Sequence, residues 1–76
     1  MQPADVVYVQ RVVFTDDAAA RRFAVAWNHR DGHRAYALAS VLAGERAVWF
    51  SATVPQFTVD LLAWDLDLSY QAALPH

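Results

Sequence analysis

The chain has no cysteine, no lysine and no isoleucine, and only two glycines in 76 residues. Without cysteine, disulfides and thiolate metal sites are excluded. Two glycines leave no Gly-rich loop to cradle a phosphate. No apolar run approaches the roughly 20 residues of a membrane-spanning helix. Every cationic side chain other than histidine is arginine, and alanine and valine abound, a bias that suits a GC-rich coding sequence. Arginine in place of lysine therefore carries no implication of bidentate recognition. The net charge of −2 gives no long-range pull toward nucleic acid or an anionic membrane. Met1-Gln2-Pro3-Ala4-Asp5 lacks the basic and apolar regions of a signal peptide. A cytoplasmic protein of bacterial or phage type is the expectation.

What the chain does have is apolar surface. Hydrophobic residues make up 57%, above the globular norm of about 45–50%. The strand-like segments are apolar on both faces. In 6–14, Val6, Tyr8, Gln10, Val12 and Phe14 alternate with Val7, Val9, Arg11 and Val13; in 47–54, Val48, Phe50, Ala52 and Val54 alternate with Ala47, Trp49, Ser51 and Thr53. A half-exposed strand alternates cleanly between apolar and polar, whereas a strand covered on both sides does not. A chain of this length can cover one sheet face with its own helix and has little left for the other. It buries only about 60% of its unfolded surface, and small domains are usually stapled by disulfides, metal or association. Association is the staple left.

One domain spans 1–76, with 71–76 as a loose tail. Residues 5–14 read as a first strand. Thr15 reads as an N-cap, with Asp16 and Asp17 in the first helical turn. Ala20, Phe23, Ala24 and Trp27 then recur on one helical face, giving a helix over 16–28. Asn28-His29-Arg30-Asp31-Gly32 ends it. Residues 34–43 fit either a strand, which coupling through Ala43-Gly44-Glu45 to a strand over 46–54 favours, or a helix, which their alanine content favours. After Pro55 the apolar parity shifts. Either a bulge lies near Leu61-Leu62, or 56–63 is a short helix with Phe57, Leu61 and Trp64 on one side. Residues 64–70 read as a last strand, with Trp64, Leu66, Leu68 and Tyr70 inward and Asp65, Asp67 and Ser69 outward.

The fold class that follows is α+β: a small antiparallel sheet of three or four strands, one main helix on one face, and a partner chain on the other. The order strand–helix–strand–strand–(helix)–strand resembles the ferredoxin-like split βαβ unit, an architecture that often pairs sheet to sheet in dimers.

No motif carries catalytic, cofactor or metal chemistry, and none of these is expected. His29 and His33 have the i,i+4 spacing of helical metal ligands, but Asp31-Gly32 interrupts any helix between them and no third ligand is identifiable. Asp65 and Asp67 on an outward strand face read as solvated edge charges. Val7, Val9, Tyr36, Trp49 and Phe50 are the candidate interface residues. Asn28, His29, Arg30, His33 and Arg34 form a polar loop suited to contacts. The leading expectation is a non-enzymatic interaction module that homodimerises, or docks on a larger protein, through its apolar sheet face. A small-molecule binder or enzyme of the dimeric α/β-barrel type, with a pocket near His29 and His33, is the alternative. Single-strand nucleic-acid binding by Arg21, Arg22, Arg30 and Arg34 is a further one, opposed by the interspersed aspartates.

Overall fold

Two apolar periodicities, 3.6 and 2, build the two layers of the molecule. The computed structural model describes residues 8–30 and 35–71. Six elements follow in order: β1 (Gln10–Phe14), α1 (Asp17–His29), β2 (Ala37–Ala39), β3 (Ala47–Phe50), α2 (Gln56–Asp65) and β4 (Tyr70–Gln71). The strands form an antiparallel sheet in the order β2-β3-β1-β4, in which β4 adds only two residues at one edge. Arg11 pairs with Trp49 and Val12 with Val48 across β1 and β3; Leu38 pairs with Trp49 across β2 and β3.

α1 starts where the carboxylate of Asp16, not the hydroxyl of Thr15, accepts the N–H of Ala19 at 2.7 Å. Both residues are good caps, but only one can occupy the extended position before the first turn, and Asp16 does, with φ −156°. Ala19, Ala20, Phe23, Ala24 and Trp27 are buried, as their spacing requires. They meet the inward side chains of the sheet in an aromatic cluster. Phe23 lies 4.9 Å from Phe14 and 5.8 Å from Trp27, and Trp27 lies 4.9 Å from Phe50, centroid to centroid. The indole N–H of Trp27 donates to the carbonyl of Ala35 at 2.9 Å, so the ring enters the core with its polar atom bonded.

The ambiguous segment 34–43 supplies β2, and Gly44, at φ +82°, turns the chain into β3. β3 stops at Phe50 rather than continuing to Val54. β1 likewise starts at Gln10, later than the expected residue 5; residues 5–7 lie outside the described residues.

The segment after Pro55 is helical and longer than expected. α2 runs through Asp65, so Trp64 and Asp65 are helical and the strand expected over 64–70 shrinks to its last residue plus Gln71. Val59, Leu62 and Ala63, at i, i+3 and i+4, enter the same core as α1. The helix ends in a Schellman motif. Leu68 N–H donates to Ala63 C=O at 2.8 Å and Asp67 N–H to Trp64 C=O at 3.0 Å, with Asp67 in the left-handed region at φ +56°. Leu66, Leu68 and Tyr70 then pack against the core, while Trp64 does not. The alternating pattern of 64–70 is thus a helix end followed by a chain folding back, not a pleat. Asp65 and Asp67 share no strand face. Among the described residues, no helix is long and apolar enough to cross a membrane. The radius of gyration, 11.5 Å, is that of a packed globule of this length.

Asp67 occupies a position where glycine meets no Cβ penalty. Replacing Asp67 with Gly should raise unfolding stability by up to about 1 kcal/mol, measured as an increased denaturant midpoint at unchanged slope.

Candidate functional site

Both helices lie on one side of the sheet, since their buried residues share one core with Val12, Phe14, Val48 and Phe50. The other side is built by the opposite parity. Val9, Arg11 and Val13 come from the β1 strip, Trp49 from β3, and Tyr36 and Leu38 from the β2 strip. Val9 and Tyr36 are exposed; Val13, Leu38 and Trp49 are half-buried. Among the described residues no helix covers this face.

Trp49 sits at its centre, paired with Arg11 on one side and Leu38 on the other. The Arg11 guanidinium lies 5.7 Å from the indole centroid, within cation–π range. The indole N–H donates to Glu45 Oε1 at 3.3 Å. The face therefore carries one cation and one anion around a flat aromatic.

Of the sequence-predicted interface residues, Val9, Tyr36 and Trp49 share this face, and Val7 lies outside the described residues. Phe50 is on the opposite side, fully buried between Phe23 and Trp27, so it belongs to the core and is lost to the outer face. Adjacent strand residues point to opposite sides, so Trp49 and Phe50 were never able to share one.

The polar loop divides. His33 and Arg34 lie outside the described residues. His29 closes α1, and Arg30, its C-cap, reaches Asp65 at the end of α2 with a 2.5 Å ion pair. Arg21 and Arg22 are exposed on α1. Asn28 has a structural task. Its Nδ2 donates to Ala37 C=O at 2.8 Å and its Oδ1 accepts Ala37 N–H at 2.9 Å. One side-chain amide thus satisfies both backbone groups of an edge-strand residue.

Two further side chains act alike, and no sequence pattern marked them. Gln10 Oε1 accepts Val54 N–H at 2.7 Å and Gln10 Nε2 donates to Val54 C=O at 3.3 Å, closing the segment between β3 and α2 onto β1. The Asp17 carboxylate accepts the N–H groups of Gly44 at 2.8 Å and Arg46 at 2.9 Å, fastening the β2–β3 turn to the start of α1. These two N–H bonds, Gly44 first, hold the Asp17 pKa below the usual 3.8. Tyr70 donates its hydroxyl to Asp60 of α2. Burial first, then that bond, pushes its phenol up to about 12.

Between α1 and the β2 edge runs an open groove of ≈ 560 Å³, lined by Arg21, Val25, Asn28, Tyr36, Ala39 and Leu42 among others. It is lined by Asn28 of the predicted polar loop and Tyr36 of the predicted interface set, but not by His29, near which the pocket was expected. The chain matches no family model, no curated protein and no solved structure.

Asn28→Ala should cost about 1 kcal/mol, the ordinary worth of such bonds when water can replace them, seen as a lower denaturant midpoint. Asp17 gives a pH signature. A carboxylate whose native pKa is depressed stabilises the fold above its unfolded value and loses that contribution as pH falls through the native one. The wild-type midpoint should therefore drop more steeply below pH 3.8 than that of Asp17→Asn.

Proposed function

We propose that this chain is a non-enzymatic interaction module of ferredoxin-like architecture that homodimerises through the outer face of its sheet. The element order and the strand order β2-β3-β1-β4 support the architecture. One observation carries the function: both helices sit on the same side, leaving Val9, Tyr36, Leu38, Val13 and Trp49 facing away from the core. A sheet with apolar residues on both sides ordinarily packs against something on each.

A second copy suits the face better than an unrelated surface because the face is its own electrostatic complement. Arg11 lies on one flank of Trp49, and Glu45 holds its indole N–H. A two-fold axis through the patch lets Arg11 of each copy approach Glu45 of the other, as a self-complementary interface requires. Trp49, central, aromatic and rigidly held, has the properties of an interface anchor. The groove beside β2, with Tyr36 on its lip, favours small-molecule binding as a second reading.

Sedimentation equilibrium across a concentration series tests the dimer. Trp49→Ala should lower the association constant at least about tenfold, equivalent to about 1.4 kcal/mol, without loss of the folded circular dichroism spectrum. A folded wild type that sediments as 8.5 kDa at every concentration sinks the proposal.

A further inference from the structure

α2 is apolar on both of its sides. Val59, Leu62 and Ala63 enter the core, while Phe57, Leu61 and Trp64 point to solvent, 70%, 56% and 88% exposed. These three lie at i, i+4 and i+7, one stripe along the helix. An isolated exposed side chain is unremarkable, but a contiguous stripe of Phe, Leu and Trp marks an interaction surface. It lies on the helical layer, away from the sheet face discussed above, and is independent of that reading.

The charge around the stripe names the occupant. All six arginines lie at or before Arg46, and Asp60, Asp65 and Asp67 are the charged Asp, Glu, Lys or Arg residues after it. Asp60 and Asp65 are both exposed on α2, and Asp67 is exposed just past its end. Tyr70 donates to Asp60 and leaves its charge in place, whereas Arg30 pairs with Asp65 and offsets it, so Asp60 and Asp67 carry the net negative charge beside the stripe among the described residues. A second copy fits this stripe poorly. Residue 60 is near the midpoint of 57–64, so two-fold pairing of α2 with itself would set Asp60 beside its own symmetry mate, and like charges in a seam are destabilising. We infer that the Phe57–Leu61–Trp64 stripe of α2 is a docking face for an amphipathic helix of another protein, with apolar anchors flanked by arginine or lysine. Such helices lay an i, i+3/i+4, i+7 apolar row on a complementary apolar surface, and flanking charges set partner choice.

Two labelled synthetic helical peptides test this, with the same leucine stripe but flanked in one by arginine and lysine and in the other by glutamate. Fluorescence anisotropy with the full chain should show micromolar binding of the basic peptide and at least about tenfold weaker binding of the acidic one. Phe57→Ala/Trp64→Ala should weaken the basic peptide at least about tenfold and leave self-association in sedimentation unchanged. The substituted side chains are exposed, so the fold should survive. Asp60→Asn keeps an acceptor for Tyr70 and removes the charge; it should reduce the salt dependence of binding. Equal binding of the two peptides, or binding of neither, overturns the inference. So does loss of self-association in the double variant, which would make the stripe a contact between copies. Insertion of Trp64 into phosphatidylcholine vesicles in place of peptide binding would overturn it in favour of a lipid surface. Because Trp49→Ala reports on the sheet face alone, either reading can fail without the other.

Discussion

Four aromatic rings decide how this chain folds. Phe23 and Trp27 descend from α1 onto Phe14 of β1 and Phe50 of β3, with neighbouring centroids 4.9–6.2 Å apart. The contacts are tilted or edge-on for most pairs, the arrangements that ring quadrupoles prefer. Because all four rings are committed to one side of the sheet, α1 must lie there, and α2 follows by inserting Val59, Leu62 and Ala63 into the same core. The second sheet face is left with Trp49 and its neighbours. The uneven dressing of the two faces thus follows from where the large side chains fall in the strand parity.

Around this core, polar side chains do what longer loops and glycines do elsewhere. Gln10, Asp17 and Asn28 each bond two backbone groups of a distant segment. Each fastens a connection that would otherwise hang from a short strand. With only two glycines available, non-glycine residues also take the left-handed turns: Arg46 at φ +57° and Asp67 at φ +56°. Asp17 holds the N–H of Arg46 itself, which compensates that conformation locally.

Much of this was legible in the sequence. The spacing of Ala20, Phe23, Ala24 and Trp27 fixed α1 because a helix of that pattern has one way to bury its stripe. The opposite parity of Trp49 and Phe50 already required one of them to face away from the helices. The parity shift after Pro55 was a true signal of a change in structure, and the helical alternative grouped Phe57, Leu61 and Trp64 as they are found. Residues 64–70 misled because alternation is ambiguous over seven residues. A helix end supplied Trp64, a cap residue Leu66, and a returning chain Leu68 and Tyr70; a Schellman motif closed by Asp instead of Gly leaves no composition signal. The clamps were invisible for a different reason. Gln10 and Val54 are 44 positions apart, and nothing periodic connects a side-chain amide to the peptide it will meet.

The amide of Asn28 reaches further than its two bonds. Ala37 sits on an outermost strand, where a vacant peptide would accept a strand from any passing chain, and its N–H and C=O are already taken. At the opposite margin β4 offers a ladder of only two residues. Neither border is a good template for adding strands side by side. A molecule this rich in valine and aromatics is thereby steered away from open-ended ribbons, and its contacts are left to its broad surfaces, where assembly can close and stop.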